Sequence, residues 1–327
     1  METRFITYPH HMKKEHLPPT VMALGYFDGV HLGHQQVIRT AVKIASEKGY
    51  KSAVMTFHPH PSVVLGRREQ HVQLITPLKE KERLIARLGV DYLYVVEFTP
   101  SFAELLPQQF VDQYIIDFHV KHVVAGFDFT YGRLGKGTME TLPFHSRGQF
   151  AHTTVPKLTR NDEKISSTYI RHLLKNGEVH QLPELLGRFY TIEGTVIGGE
   201  KRGRTIGFPT ANIDPADDYL LPALGVYAVK IRIGSETFEG VCNVGYKPTF
   251  HDRLEGRPNI EVHIFHFSRD IYGEMVTIEW HERLRSEQKF SSVAELVAQI
   301  QRDKEKAEAY FRETAENTCI LSQNDVS

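Results

Sequence analysis

Cysteine is scarce in this chain of 327 residues. Cys242 and Cys319 are its two cysteines, and they form no Cys-x-x-Cys pair. The sequence therefore predicts neither a disulfide framework nor a cysteine zinc site. Histidine is plentiful, with 18 residues, but these are scattered and no His-Glu-x-x-His motif occurs. A metal centre built on histidine is accordingly not expected.

Long apolar runs are also missing. No stretch approaches the ~18 apolar residues that a membrane-spanning helix needs, and the first residues carry Lys, His and Glu in place of an apolar secretory core. We therefore expect a cytoplasmic protein without membrane contacts. Neither sign of charge dominates, since 39 basic residues face 40 acidic ones. This balance argues against nucleic acid as the main partner, and no feature indicates an obligate protein partner.

The length favours two domains, because a single core rarely grows so large. In the first half, strand patterns alternate with helical periodicity, which predicts a parallel, Rossmann-like sheet covered on both faces. Two layers of antiparallel structure are the alternative. The expected strands cover 21–25, 52–57, 92–97, 122–126 and 151–155, and the expected helices cover 33–48, 78–88, 107–118, 138–146 and 167–174.

The second half is rich in strand patterns with no helices between them. Strands expected over 189–197, 225–233, 237–244, 259–267 and 275–281 suggest a small closed barrel. A long helix follows, which Ser291 or Ser292 can cap; its apolar residues are Val293, Leu296, Val297, Ile300, Tyr310 and Phe311. The polar tail after Thr314 is expected to fray. The character changes near Gly187, so the predicted domains are 1–186 and 187–327.

The segment 25–34, Gly-Tyr-Phe-Asp-Gly-Val-His-Leu-Gly-His, follows the first strand and opens the first helix. Ligands of parallel α/β sheets bind at this position, and a helix N-terminus attracts anions. His31 and His34 can add hydrogen-bond donors. The segment therefore indicates a site that stabilises a transferring phosphoryl or nucleotidyl group. Ordinary turn hydrogen bonds from the two histidines are the alternative.

Two further segments stand at matching positions. Thr-Phe-His-Pro-His-Pro, residues 56–61, follows the second strand, and Ile-Ser-Ser-Thr-Tyr-Ile-Arg, residues 165–171, opens the last helix of this half. Ser167 and Thr168 offer hydroxyl and N–H groups, and Arg171 lies one turn further on, within reach of the same anion. Taken alone, Ser-Ser-Thr is most often a helix cap.

In the second half, residues 198–212 read Gly-Gly-Glu-Lys-Arg-Gly-Arg-Thr-Ile-Gly-Phe-Pro-Thr-Ala-Asn. Glycines and cations between two strands suit a polyphosphate, although the segment is not a Walker P-loop. Thr210 and Asn212 add oxygens suited to Mg²⁺. A basic, flexible hairpin loop is the alternative interpretation.

The three N-terminal segments together resemble the nucleotidyltransferase module of bacterial riboflavin kinase/FAD synthetases, of the His-x-Gly-His superfamily. The resemblance implies that ATP binds at Phe27, His31, His34 and the 167–171 segment, with His58 and Pro59 near FMN. Asp128 matches a further position, at the adenosine. The loop Thr130–Thr138 departs from the family pattern, so the resemblance assigns it no role.

The segment 198–212, together with 243–249, 261–263 and 284–290, resembles the riboflavin kinase domain, whose fold is a six-stranded barrel. The resemblance implies that Gly198, Lys201, Gly203 and Arg204 hold ATP and that Thr210 and Asn212 ligate Mg²⁺. It also implies that Glu261 is the catalytic base and that Arg285 lies near the flavin.

The two resemblances imply a bifunctional enzyme that phosphorylates riboflavin to FMN and adenylylates FMN to FAD, with ATP as co-substrate and Mg²⁺ as cofactor. One alternative is another nucleotidyltransferase of the superfamily, but this alternative assigns no function to the second half of the chain. The other is an inactive flavin-sensing protein. Against it, His31, His34, Thr210, Asn212 and Glu261 are all present.

Overall fold

The computed structural model describes residues 1–66, 72–160, 162–199, 202–246 and 257–324. Contacts between residues divide the chain into two compact units, Met1–Tyr169 and Ile170–Ser327. Within the described residues, no helix is both long and apolar enough to cross a membrane.

The first unit is built on a six-stranded sheet in which every pair of neighbouring strands is parallel. Its strands lie in the order β1-β4-β3-β2-β5-β8. The strands of this unit are β1 (Glu2–Ile6), β2 (Thr20–Leu24), β3 (Lys51–His58), β4 (Tyr92–Glu97), β5 (Val120–Gly126), the short pairs β6 (Thr130–Tyr131) with β7 (Gly137–Thr138) and β9 (Thr159–Arg160) with β10 (Glu163–Lys164), and β8 (Ala151–Val155).

Helices connect these strands and cover the sheet. They are α1 (Leu32–Lys48), α2 (Pro61–Leu65), α3 (Leu78–Ala86), α4 (Pro100–Ala103), α5 (Pro107–Phe110), α6 (Leu142–Ser146) and α7 (Ser167–Asn176), with 3₁₀ turns at Lys14–His16 and Arg133–Gly135. The division between the two units falls inside α7. Helix α1 ends at Gly49 in the left-handed conformation, as its sequence predicts.

Strand β2 explains why both faces of the sheet are covered. All five of its residues are buried, with Met22 and Leu24 in the core cluster on one face and Val21 and Ala23 in the cluster on the other. Side chains alternate between faces along a strand, so a strand that is buried at every position is covered on both sides. The predicted parallel sheet is confirmed.

Two features of the first unit differ from the sequence-based expectation. The amphipathic segment Glu2–Ile6 forms β1, which pairs with β4 at the edge of the sheet; its mixed polar composition concealed a strand that is buried only at Ile6. The helix expected over 107–118 is α5 followed by a π-helix at Val111–Ile116, and that over 138–146 begins only at Leu142.

The second unit contains a closed barrel of six antiparallel strands in the order β11-β12-β15-β14-β13-β16. Its strands are β11 (Tyr190–Ile197), β12 (Ala211–Pro215), β13 (Gly225–Ile233), β14 (Glu236–Gly245), β15 (Asn259–Ile264) and β16 (Met275–Arg285), and its helices are α8 (Leu182–Leu186), α9 (Arg202–Thr205) and α10 (Val293–Asn324), with a 3₁₀ turn at Val179–Gln181. The predicted barrel is confirmed. The strand that was not named in the sequence-based expectation is β12, whose first two residues, Ala211 and Asn212, are the last two of the segment 198–212.

The end of α7 and the turn that follows it pack against the barrel. The amide of Ala223 donates a hydrogen bond to the carbonyl of Leu174, and the Arg283 guanidinium donates to the carbonyl of Asn176. Leu173, Leu174 and Leu182 are almost completely buried. By its contacts this helical segment therefore belongs with the barrel, although it precedes Gly187.

Helix α10 covers part of the barrel's outer face. Its Ala307 and Phe311 pack with Ala228 and Phe265 of the barrel side. Ser292 caps the helix by accepting from the amide of Glu295, as predicted. Val293, expected in the apolar stripe, is 63 % exposed, because the helix reaches the barrel only further along. The helix continues to Asn324, beyond the expected fraying point at Thr314, whose hydroxyl donates back to the Tyr310 carbonyl.

Candidate active sites

The turn between β2 and α1 has an unusual backbone. Phe27, Gly29 and Val30 have positive φ angles of 55°, 90° and 39°, a conformation that residues other than glycine adopt at a cost. A side chain on Gly25 would collide with the Phe27 ring, so glycine there lets the ring fold back over the strand end. Strained backbone that the surroundings enforce is common at functional sites.

The two histidines stand at the start of α1. His31 is its N-cap residue, and the His31 Nδ1 atom accepts a hydrogen bond from the amide of His34 at 3.2 Å. The two rings stack with their centroids 3.5 Å apart, and Phe27 lies edge-on to His34. Burial, with the nearby His31 and Lys81, holds the His34 pKa well below its usual value. His34 is therefore neutral at pH 7, and its Nδ1 atom has no hydrogen-bond partner in the described part of the chain.

Asp28 joins this turn to other parts of the unit. Its buried carboxylate accepts hydrogen bonds from the amides of Ile75 and Thr76 at 3.0 Å. Its carbonyl accepts from the Ser167 hydroxyl at 2.7 Å. The start of α7 is thereby fixed beside the start of α1, which brings the predicted Ser167 to the predicted histidines.

A cavity of about 600 Å³ opens where these elements meet. Six residues predicted to bind nucleotide line it: Phe27, His31, His34, Asp128, Ser167 and Thr168. His58 is the last residue of β3 and Pro59 follows it; neither is among the lining residues, whereas Phe57 and Pro61 are. Arg171 lies one turn beyond Ser167 on α7, in the second contact unit.

The cavity also contains residues that sequence reasoning missed. The Lys164 ammonium donates to the Asp128 carboxylate at 2.6 Å and lies 4.6 Å from the centroid of the Phe127 ring. The segment from Thr130 to Gly135 lines the same cavity. Lys164 directly precedes the Ile-Ser-Ser-Thr segment. Its place next to a predicted phosphate-binding motif is the feature of the sequence that could have identified it.

The second site follows from strand register. Asn212 of β12 pairs with Glu261 of β15, which pairs in turn with Asn243 of β14. Residues directly opposite each other on neighbouring strands point to the same face. The flanking residues Ile213, Val262 and Cys242 are buried inside the barrel, so the row Asn212–Glu261–Asn243 points outward. Asn243 belongs to a segment with family resemblance but was not predicted as a site residue.

Close backbone packing surrounds Asn212. A Cβ added to Gly199 would overlap the Asn212 amide, so only glycine permits this approach. Gly203 stands in α9 against the carbonyl of Phe208, with the Thr210 hydroxyl close by. Pro209, just before Thr210, is fixed because its carbonyl accepts from His263 Nδ1 at 2.8 Å.

This donor set fits a magnesium ion. Thr210 and Asn212 offer hydroxyl and amide oxygens suited to Mg²⁺, which normally completes its shell with water and substrate phosphate. Among the described residues there is no group of three or more His, Cys, Asp or Glu suited to a metal. An ion here would accordingly be shared with a substrate.

Of the remaining predicted residues of this site, three precede β12 in the chain and one, Arg285, follows it. Gly198 and Arg204 are exposed, the latter in α9, and Lys201 lies outside the described residues. Val226 of β13 pairs with Asn243 on one neighbouring strand and with Arg285 on the other, so Arg285 stands two strands away from Asn243. Its guanidinium is engaged by the buried carboxylate of Asp303 on α10, with N–O distances of 2.9 to 3.0 Å.

The fold and the two sites define a two-domain transferase class, in which a nucleotidyltransferase-type sheet precedes a kinase-type barrel. The FAD synthetase family model matches residues 13–169, and the riboflavin kinase family model matches residues 186–311. The chain belongs to the family of bifunctional riboflavin kinase/FMN adenylyltransferases, as two curated relatives also indicate.

The relative from Bacillus subtilis is 56% identical over 95% of this chain and 98% of its own length. The relative from Listeria monocytogenes is 52% identical over 89% of this chain and 92% of its own length. Both are named bifunctional riboflavin kinase/FMN adenylyltransferase. A crystal structure from Streptococcus pneumoniae, described as a macrolide-efflux protein, is 37% identical over 94% of this chain and 99% of that chain, with a TM-score of 0.84.

Proposed function

We propose that the barrel unit transfers the γ-phosphate of ATP to riboflavin, giving FMN and ADP. The sheet unit then joins FMN to the adenylyl group of a second ATP, giving FAD and pyrophosphate. One observation carries this proposal: in the described part of the barrel, the Glu261 carboxylate stands directly opposite Asn212, a residue proposed to ligate Mg²⁺, as a kinase that activates a hydroxyl requires.

In the sheet unit, the attacking group is the FMN phosphate, which is already ionised, so this site needs no base. The start of α1 offers the positive end of the helix dipole to the phosphates. His34 is neutral, so it can donate a hydrogen bond without carrying charge. Alignment of the two substrates and stabilisation of developing charge are then the main catalytic contributions.

In the barrel unit, the attacking group is a ribityl hydroxyl, which must lose a proton to the enzyme. Glu261 lies between Asn212 and Asn243 in the outward-facing row, and we assign it the role of general base. Asn243 is exposed on the far side of Glu261 from the metal-type ligands, where its amide is suited to the hydroxyls of a ribityl chain. A positioned base contributes roughly 10²–10⁴-fold.

Thr210 and Asn212 would hold Mg²⁺, and Gly198, Lys201, Gly203 and Arg204 would hold the ATP phosphates. When bound, the ion would neutralise charge on those phosphates. Phe27, Asp128, Ser167, Thr168 and Arg171 would hold the second ATP, with His58 and Pro59 toward FMN. A cytoplasmic location stays a prediction.

The test is incubation of the full chain with riboflavin and Mg·ATP, with FMN and FAD separated by chromatography over time. We expect FMN to appear first and FAD to follow. FAD formation from supplied FMN with no phosphorylation of riboflavin would identify a nucleotidyltransferase alone. No flavin product under either oxidising or reducing conditions would contradict the proposal and favour a flavin-binding protein.

A further inference from the structure

Lys81 is a buried lysine in the sheet unit to which no role has been given above. It lies on α3, and it is only 2 % exposed. Taking an ammonium group out of water costs several kcal/mol unless nearby groups compensate. A lysine in such a place therefore requires an explanation from its surroundings.

The Lys81 ammonium connects two strand ends. Its Nζ atom donates to the carbonyl of Tyr26 at 2.8 Å and lies 3.5 Å from the Thr56 hydroxyl, which donates to the same carbonyl. It also lies 4.1 Å from the centroid of the Tyr26 ring, a favourable cation–π distance. Tyr26 follows β2 and leads into the histidine turn, while Thr56 stands near the end of β3, before His58 and Pro59.

The charge of Lys81 acts on the site. Burial lowers its pKa to about 8, and the neighbouring Asp28 opposes this shift. Lys81 contributes to the lowered pKa of His34. The titratable groups that interact with it are Asp28 in the turn, His34 on α1 and Tyr26 after β2. Near pH 7 the lysine therefore remains mostly protonated while His34 is neutral.

Tyr26 joins this buried cation to the cavity. Tyr26 lines the cavity, and the same residue contacts the Lys81 ammonium through its carbonyl and its ring. Fixed positive charge at a site shielded from water attracts phosphate groups more strongly than it would in solution.

We propose that Lys81 is a positioning residue of the N-terminal site, which holds the ends of β2 and β3 together and supplies buried positive charge beneath the phosphates. This inference rests on the proposed FMN adenylylation. It assigns Lys81 no direct contact with substrate; its effect passes through Tyr26, Thr56 and the histidine turn.

The experiment compares Lys81→Met with Lys79→Met in the full chain. Methionine keeps the length of the side chain and removes the charge, and Lys79 is an exposed lysine on the same helix. We expect Lys81→Met to lower kcat for FAD formation from FMN at least tenfold. Riboflavin phosphorylation by the same variant, and both activities of Lys79→Met, should remain at the wild-type level. A folded Lys81→Met variant with the wild-type adenylylation rate would overturn the proposal.

The pH profile separates this role from simple structural support. In the wild type, kcat for adenylylation should decline as the pH rises through about 8, where Lys81 loses its proton. The decline should be absent from Lys81→Met. If that variant does not fold, Lys81→Arg serves instead, since arginine stays charged and should move the decline to higher pH. An unchanged profile in the variant that folds would refute the inference.

If the wild type makes no FAD from FMN, the proposed function fails, and binding then decides the role of Lys81. Titration with a non-hydrolysable ATP analogue should show at least fivefold weaker binding to Lys81→Met than to Lys79→Met at the N-terminal site. Equal affinities there would overturn the positioning role independently of any activity.

Discussion

The two units build their proposed phosphate sites by different means. In the sheet unit, the proposed site is a cavity at the ends of parallel strands, and the residues proposed to bind phosphate lie at the starts of α1 and α7. In the barrel unit, the side chains form a row on the outer surface of the strands, beside a segment rich in glycine. Backbone amides and a helix dipole suit a reaction whose nucleophile is already an anion. A row of side chains suits a reaction whose nucleophile must first lose a proton.

The units also differ in how their charged groups are buried. The sheet unit buries a lysine, Lys81, against a carbonyl and an aromatic ring. The barrel unit buries an aspartate, Asp303, against the guanidinium of Arg285. The first arrangement surrounds the ammonium with a carbonyl and an aromatic ring, within the electrostatic influence of Asp28, whereas the second pairs opposite charges directly and connects α10 to the end of β16.

The sharpest test of the difference between the units is Glu261→Gln. We expect FMN formation from riboflavin to fall by roughly 10²–10⁴, the usual contribution of a positioned base, because glutamine cannot accept the hydroxyl proton. FAD formation from supplied FMN should persist. Both rates are measured by chromatography on a variant shown to be folded, and a comparable loss of both activities would contradict two separate sites.

The converse test replaces His31 and His34 together by alanine. Riboflavin with Mg·ATP should then stop at FMN, with adenylylation reduced by about 10²–10³, the cost of losing donors to a charged transition state. Kinase activity provides the internal control. Normal FAD formation by this double variant would show that the histidine turn is not the adenylylation site.

The buried ion pair of the barrel unit is tested by Asp303→Asn. Removing one partner of a buried pair costs about 3–5 kcal/mol, so the barrel should unfold at lower denaturant concentration. The single tryptophan of the chain, Trp280, is fully buried in the barrel, and its fluorescence reports on this unit within the full protein. Glu305→Gln, at an exposed position of the same helix, is the control.

If Arg285 lies near the flavin, loss of the Arg285–Asp303 pair should weaken the binding of riboflavin more than that of ATP. We therefore expect Asp303→Asn to raise the KM for riboflavin and to leave the KM for ATP near the wild-type value. Equal changes in the two constants would indicate that the pair only stabilises the barrel.

The smallest expected effect concerns the boundary between the units. A fragment of residues 187–314 is predicted to phosphorylate riboflavin, because the described candidate residues of the kinase site lie within it. A fragment of residues 170–314 also retains Leu173, Leu174 and Leu182, which are buried in the second contact unit. The longer fragment should be more stable by at least about 2 kcal/mol, since each buried leucine contributes ~1.5–3 kcal/mol. Equal denaturation midpoints followed by Trp280 would show that this helical segment does not support the barrel.

The sequence by itself determined much of this protein. Strands that carry apolar residues toward both faces of a sheet, such as β2, require helices on both faces, and the short strands of the second half, separated by turns, favour closure of a barrel. These patterns are local, and so are the motifs that carry His31, Ser167, Thr210 and Glu261. The start of α1 at the histidine turn was predictable for the same reason.

Only the tertiary structure decided which distant residues meet. Asn243 stands beside Glu261 because two strands pair in one register, and a shift of one residue would turn it to the opposite face. Lys81 and Asp303 interrupt otherwise ordinary helical patterns, and their partners, Tyr26 and Arg285, lie 55 and 18 residues away in the chain. The sequence shows the residue types, but burial and pairing depend on how elements pack, since the cost of a buried charge is set by the groups that surround it in space.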